Sequence, residues 1–452
     1  MSKKNILLVS FDDACAPWRY KTAFQEPLQL PTLEALCRQA TVFQSAYCQA
    51  PICGPSRASM MTSQLPSDLG ILDNSTFLFD HVPAETSWIH TLRESGYFCS
   101  SGGKVHHKPT LARPHHRALY SDERKAFDVD MRLPRELRRR SHPFGGHRHG
   151  RGTVDGVDDD FFFDQQVANS TIDFLETYRD DRPFFREVGF FSPHGPHITP
   201  ARFKRAYNAA NFVKPAEWDG YIADSPYVSR NIPEFEEFRS LDFWQKSVRN
   251  YFSAYSHGDY QLGRVLSALL SSAHAENTIV AVVSDHGFHL GSRNLFRKTT
   301  LWEQSLHVPF VIFDPSDPQG QIVTDPVALL DLGPTLMDFA EVTSPPPNAG
   351  RSLRPMMHGA RDPDRVIPSY YGNSISIRKG DYRIIRYASD PASPDFQLFD
   401  LRNDYWQLNN LGTGHPAFAP MRQALDDWAR QTGYVYRDQG QSDAAPDEGG
   451  AE

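Results

Sequence analysis

Cysteine is scarce in this chain and odd in number: Cys15, Cys37, Cys48, Cys53 and Cys99 among 452 residues. That excludes a disulfide framework as the source of stability. Long apolar runs are missing too. None approaches the roughly 20 residues of a membrane-spanning helix. The apolar stretch in MSKKNILLVSF is too short for a secretory leader, and no small-residue cleavage site follows it. The expectation is a cytoplasmic protein with no membrane partner. Positive charge is not in excess: 47 Lys and Arg against 55 Asp and Glu leave a formal net charge of -8. Nothing in that total favours nucleic acid. No internal repeat is visible. The length allows one large domain and a smaller one.

NILLVS, Asn5 to Ser10, is the near-continuous apolar run of a strand buried on both faces. PTLEALCRQA follows with helical spacing and a proline at its start. Thr41 to Tyr47 reads as a strand, SRASMMTSQL after Pro55 as a helix, and TSWIHTLRESGY as another, with Gly96 just past its end. NYFSAYSHGDYQLGRVLSALLSSA, from Asn250, is a long amphipathic helix. Thr278 to Ser284 and Val308 to Phe313 read as strands, and VALLDLGPTLMDFA as a helix. This alternation predicts an α/β fold with a mostly parallel sheet covered by helices on both faces.

From about Gly350 the texture changes. SYYGNSISIRKGDYRIIRY and FQLFDLRNDYWQLNNL alternate polar and apolar residues, which predicts a small antiparallel sheet, with a packing helix at APMRQALDDWARQT. The expected division is an α/β domain over residues 1–350, an α+β subdomain over 351–436 and a disordered tail over 437–452, where apolar content nearly vanishes. Arg132 to Gly152 is rich in Arg, Gly and His and is expected to be a loop or insertion.

Ligands of open α/β sheets bind beyond the carboxyl ends of the strands. Asp12 and Asp13 end one predicted strand, and Asp285 and His286 end another. If the strands are neighbours, three carboxylates and an imidazole converge, a donor set suited to Ca²⁺ or Mg²⁺. Cys53 sits just before a predicted helix, where partial positive charge lowers a thiol pKa and favours an anion. Arg57, one turn on, can pair with that anion. GGKVHHKP offers Lys104, His106 and His107; VGFFSPHGPHITP offers His194 and His197; NLFRKTTLWEQ offers Lys298. Singly, each reads more readily as a solvated surface residue. Together they describe a metal-assisted pocket with several cationic donors around one anion.

Cys53-Gly54-Pro55-Ser56-Arg57 matches the C-x-P-S-R signature, and with it the chain resembles the type I sulfatases of the alkaline phosphatase superfamily. The similarity runs through NILLVSFDD, TSWIHTLRESGYFCSSGGKVHH, TIVAVVSDHG, RKTTLWEQSLHVPFVIF and QLFDLRNDYWQLNNL in the family's order. It implies an alkaline phosphatase-like fold and hydrolysis of a sulfate ester. It implies that a formylglycine-generating enzyme oxidises Cys53 to Cα-formylglycine, whose hydrated form is the nucleophile. Asp12, Asp13, Cys53, Asp285 and His286 are then the metal shell, for Ca²⁺ or else Mg²⁺ or Mn²⁺. Arg57 holds the formylglycine. Lys104, His194 and Lys298 contact the sulfate or its leaving oxygen, His197 lies with the substrate, and either His106 or His107 assists the nucleophile. Asp285-His286, GKVHH and PHGPH resemble the iduronate-2-sulfatase branch most closely. Ser192-Pro193-His194 departs from that branch's Lys-Pro-His, and MTSQLP from the family's LTGRRP.

Two other readings compete. A phosphodiester or phosphonate monoester hydrolase of the same superfamily shares the nucleophile and metal site, and the basic Arg132–Arg151 segment offers compensation for extra negative charge. A sulfate-ester binding protein would keep Cys53 as a thiol. Loops above the metal set specificity in such folds. Here these are expected to include Ala112 to Arg117, the basic segment and PHGPHITP, whose cationic content points to a small anionic sulfate such as a sulfated sugar.

Overall fold

The computed structural model describes residues 3–436 except 108–110, 124, 126–132, 219, 221, 223, 346 and 389–393; the expected tail from 437 lies outside the described residues. Seven strands form the main sheet: β1 (Asn5–Asp12), β2 (Thr41–Phe43), β3 (Phe98–Ser100), β4 (Phe184–Pro193), β5 (Thr278–Ser284), β6 (Phe310–Phe313) and β7 (Gln321–Val323). Their order is β7-β2-β6-β5-β1-β4-β3. Every pairing is parallel except those of β6, which runs antiparallel to β2 and β5.

The apolar runs form these strands because both faces are covered. In β1, Ile6 and Leu8 enter one core while Leu7, Val9 and Phe11 enter the other. In β5, Ile279, Ala281 and Val283 face the first core, and Val280 and Val282 the second. Period-two alternation of apolar residues into two cores is what a sandwiched sheet demands. The helices α1 (Cys53–Thr62), α2 (Phe163–Thr177) and α3 (Leu241–Leu270) matter most for the site.

Ile367–Tyr371, Ser374–Lys379, Tyr382–Arg386 and Phe396–Asp400 form an antiparallel meander, followed by the helix Phe418–Thr432, in line with the sequence reading. The first core continues into this sheet through Ile375, Ile377, Ile384 and Leu398. A polar tie joins it as well. Buried Glu303 accepts from Arg383 at 2.9 and 2.6 Å and from the Tyr47 hydroxyl at 3.0 Å. No helix among the described residues is long and apolar enough to cross a membrane.

Several sequence-based elements need correction. The strand expected over Thr41–Tyr47 breaks after Phe43, and Ala46–Tyr47 pairs in a separate three-stranded sheet with His307–Val308 and Val327–Ala328. The strand expected over Val308–Phe313 breaks at Pro309, which has no N–H to give a ladder. The helix expected from Val327 starts only at Leu332. Helix α3 starts nine residues earlier than expected, at Leu241, capped by the Ser240 hydroxyl, because its buried stripe extends back through Val248 and Trp244.

The basic segment is not a plain loop. Arg135–Arg140 is a short helix, His142–Pro143 pairs with Arg151–Thr153, and the latter pairs with Ile198–Pro200. Arg140 is held by Asp158, and Arg151 by the Ser141 hydroxyl at 2.7 Å. Ala112–Arg117 also lies in a helix, Arg113–Leu119, opened by Pro114 in its first turn.

Candidate active site

β1 lies between β4 and β5, and their carboxyl ends coincide: Phe11 is level with Ser284, and Asp12 with Pro193. Asp12, Asp285, His286 and His194 therefore leave three adjacent strand ends toward one point. Successive strand residues normally face opposite ways. Asp13 joins Asp12 because it leaves the strand with φ 64, in the left-handed region that Asp tolerates. Its N–H donates to Asp285 Oδ1 at 3.2 Å.

Lys104 arrives by close backbone approach. Its N–H donates to Gly189 O at 2.8 Å. Gly103 has φ 87, and a Cβ on it would meet Gly189 O at 2.1 Å, so no other residue fits there. The Lys104 ammonium pairs with Asp12 and lies 4.9 Å from the centre of the Phe191 ring, which also packs against the His194 ring at 4.6 Å. Phe191 is thus a platform for two functional side chains, and nothing in its sequence context singled it out.

Cys53 is the first residue of α1, not the residue before it, and Ile52 is its uncapped N-cap. Gly54 N–H is satisfied by Asn74 Oδ1 at 2.8 Å. The Cys53 Sγ lies 3.1 Å from Lys298 Nζ, 3.3 Å from His286 Nε2 and 3.5 Å from Asp12 Oδ1. One turn on, Arg57 is 1% exposed. Its Nε donates to Asp285 Oδ2 at 2.9 Å, and its Nη atoms donate to Lys104 O at 2.6 Å, Val105 O at 3.1 Å and Phe11 O at 3.3 Å. One guanidinium so pins the ends of three segments. Ser56, given no role beyond the signature in the sequence reading, donates its hydroxyl to Asp285 O at 2.5 Å.

Charge controls the protonation states. Burial alone would raise the Asp12 carboxyl; Lys104, His194, Arg57 and Lys298 overcome it and hold Asp12 well below the usual carboxylate range. Asp13 is lowered against burial by Lys298, His194 and His286. Burial and Asp12 oppose ionisation of Cys53, yet Lys298, Lys104 and His286 bring its thiol down to about 6. The His286 imidazole is raised against burial to about 9, chiefly by Asp285. His194 goes the other way: burial lowers it to about 4, and its Nδ1–H donates to Gly195 O at 2.6 Å.

The remaining histidines separate by surroundings. His197 is 2% exposed, packed against the Tyr251 and Phe296 rings, and burial pushes it well below its ordinary value. No hydrogen bond or ion pair is found between its side chain and the carboxylate cluster among the described residues. His106 and His107 both line a cleft of about 450 Å³, part of it open to solvent, together with Gly54, Arg57, Phe77 and Phe79. His107 stacks on Phe77. His106 is tied to Tyr120, with Nε2 and the hydroxyl 2.8 Å apart.

The donor set fits a divalent ion. Ligand atoms of Asp12, Cys53, Asp285 and His286 lie within 4.8 Å of one another, as do those of Asp12, Asp13, Cys53 and His194. Among the described residues the three buried carboxylates pair with the permanent cations Arg57, Lys104 and Lys298, so a divalent cation and an anionic ester can enter together with little net change in buried charge. Hard oxygen donors predominate.

Comparison with known proteins agrees with this geometry. The Sulfatase family profile matches residues 4–342, and that of N-sulphoglucosamine sulphohydrolase, C-terminal, matches residues 291–432. Choline-sulfatase of Rhizobium meliloti (strain 1021) is 28% identical over 433 residues, 90% of this chain and 82% of that protein. Iduronate 2-sulfatase of Homo sapiens is 27% identical over 361 residues, 70% of this chain and 65% of that protein. The phosphonate monoester hydrolase of Agrobacterium radiobacter superposes with a TM-score of 0.77 over 97% of each chain at 18% identity, a likeness of fold. Iduronate 2-sulfatase is one distant relative among several, so the likeness holds at the level of the family and not of that branch. With a profile match across most of its length and the signature cysteine among three strand-end carboxylates, the chain belongs to the sulfatase family and is a sulfuric ester hydrolase.

Proposed function

We propose that the protein hydrolyses the sulfate ester of a small anionic organic molecule, such as a sulfated sugar acid, with Cys53 converted to Cα-formylglycine and Ca²⁺ held by Asp12, Asp13, Asp285 and His286. The carrying observation is the position of Cys53 Sγ, between Lys298, His286 and Asp12 at 3.1, 3.3 and 3.5 Å. That sulfur stands where the nucleophilic oxygen of formylglycine would be. The ion, when bound, supplies Lewis-acid stabilisation of charge and lowers the pKa of a hydroxyl beside it.

The chain's own residues do the rest. Arg57 fixes Asp285 and the start of α1, so that the nucleophile cannot drift. Lys104 and Lys298 present fixed positive charge to the sulfuryl oxygens. His194, anchored through Nδ1–H, keeps an unprotonated Nε2 on the side of Asp13, 3.9 Å away, where it can take up a proton from solvent beside the Asp12 and Asp13 carboxylates and pass that proton to the leaving oxygen.

The substrate class rests on Arg148. Its Cδ and Nη1 would lie 3.2 and 3.3 Å from a Cβ on Gly195, next to His194. Its own backbone has φ 51, and the loop is held down by Ser247 Oγ on His147 N–H at 2.8 Å and by Asn250 on Gly145 O at 2.7 Å. An exposed guanidinium carried beside the catalytic turn by a loop whose backbone is held suits a second anionic group on the ester. Ser192, where the iduronate branch has Lys, argues against iduronate itself.

The test is peptide mass spectrometry across Cys53 after co-expression with a formylglycine-generating enzyme, paired with assays on an aryl sulfate and an aryl phosphonate. The aldehyde mass, with sulfate turnover abolished in Cys53→Ala, is the expected result. A thiol that binds sulfates without turnover would overturn the proposal. Preference for the phosphonate would transfer the site to phosphonate chemistry.

A further inference from the structure

A buried chain of polar groups leads away from the site through His106, and its other members, Tyr120 and Glu187, have no part in the roles above. Tyr120 donates its hydroxyl to Glu187 Oε2 at 2.6 Å, and the same hydroxyl lies 2.8 Å from His106 Nε2. All three side chains are buried: Tyr120 is 3% exposed, Glu187 0% and His106 7%. The far nitrogen, His106 Nδ1, is buried without a hydrogen-bond partner. His106 itself forms part of the wall of the cleft that Gly54 and Arg57 share, one residue from the Val105 carbonyl that Arg57 holds. A buried imidazole with one nitrogen engaged and the other unsatisfied is costly unless a ligand proton meets it.

We propose that Glu187, Tyr120 and His106 form a proton wire, in which a proton taken up at His106 Nδ1 is balanced by transfer of the Nε2 proton to Tyr120 and of the Tyr120 proton to the Glu187 carboxylate. The inference deepens the hydrolase reading, because the proton comes from a hydroxyl of the nucleophile or of the bound ester. It also selects His106 over His107. Three O–H or N–H bonds form and three break, and the imidazole stays neutral throughout. Tyr120 and Glu187 are positioning residues that act through His106.

The electrostatics explain why a wire is needed. Burial, with Arg57 and His116 facing it, brings the His106 imidazole down to about 3, so it cannot keep an added proton. Glu187 can. Burial raises its carboxyl to about 8, although Tyr120, Ser101 and Arg186 pull the other way, and Asp122 adds to the rise. Tyr120 is pushed well above its ordinary value by burial and by Glu187, so it passes a proton without losing its own.

The two states of the wire differ at His106. With Glu187 protonated, the hydrogen bonds run from Glu187 to Tyr120 to Nε2, and the proton of His106 is on Nδ1. With Glu187 ionised, they reverse, and the proton is on Nε2. Nitrogen-15 NMR of histidine-labelled full-length protein reads this directly, with His106 assigned by its loss in His106→Gln. The expected result is a swap from the Nδ1–H to the Nε2–H tautomer as pH rises through about 8, with no charging of the ring. Tyr120→Phe and Glu187→Gln abolish the swap. A tautomer that stays fixed across that range, or a swap that persists in Tyr120→Phe, would overturn the wire. The measurement needs neither metal nor aldehyde, so failure of the sulfate-ester assay leaves it intact.

Discussion

Arg57→Ala tests whether one guanidinium organises the site. In the native protein Arg57 is 1% exposed and Asp285 0% exposed, and they meet at 2.9 Å. Removing the arginine takes the hydrogen-bonded cation from buried Asp285, leaving it the His286 imidazole 3.7 Å away, and strips a donor from the carbonyls of Phe11, Lys104 and Val105. Loss of one partner from such a buried pair costs about 3–5 kcal/mol. For 452 residues the unfolding entropy near the midpoint is about 0.9 kcal/mol/K, so the expected fall in Tm is about 3–5 °C. Arg57→Lys keeps the charge but not the fork, and falls between the two. Saturating Ca²⁺ narrows the gap, because the ion compensates the carboxylates that the arginine no longer reaches. Differential scanning calorimetry of the three proteins with Ca²⁺ and with a chelator measures all six states. A loss of under about 1 °C in the chelated protein would show that the pair carries no organising role, and the reasoning from burial would fail.

Other outcomes follow from the same structure. Asp259 caps the Pro31–Cys37 helix by accepting from Thr32 and Leu33 N–H at 2.9 and 2.8 Å, and burial raises its carboxyl to about 6 from 3.8. A raised carboxylate contributes stability that is fully present below about pH 4 and lost as pH rises through 6, a term of about 3 kcal/mol. Denaturant unfolding between those pH values should show that slope in the wild type and lose it in Asp259→Asn. Glu303→Gln removes the negative charge that Arg383 meets and is expected to cost about 3–5 kcal/mol, read as an early loss of the C-terminal sheet by hydrogen exchange. Arg148→Ala is expected to raise KM about tenfold for a sulfate ester that carries a second anionic group, and to leave kcat on a neutral aryl sulfate unchanged. Equal KM values for wild type and variant would remove Arg148 from recognition.

Much of the site was legible because strand ends are legible. NILLVSFDD and TIVAVVSDHG each show an apolar run closing on carboxylates, and burial on both faces forces such runs into a central parallel sheet. Cys53, Arg57, Lys104, His194 and Lys298 were marked by motif and charge, and all come within reach of one cluster. His197 was marked by the same rule, yet its ring packs among aromatic side chains, because a strand-end histidine reads the same whether it faces a site or a core. The basic segment, read as a loop or insertion, carries more local order than its glycines and arginines suggested: a short helix whose Arg140 pairs with Asp158, and a small sheet in which Arg151 bonds Ser141.

By itself the sequence determined the two-faced parallel sheet, the antiparallel C-terminal sheet and the chemical kinds of group at the site, since period, run length and residue type are local properties. Only the tertiary structure decided that β1 lies between β4 and β5, that Asp13 turns back to join Asp12, and that Arg57 spans three segments. It alone brought Phe191 beneath Lys104 and His194, and joined His106 to Tyr120 across 14 residues of chain and Tyr120 to Glu187 across 67. Those contacts depend on strand order and burial, and both arise from packing between segments that no local pattern records.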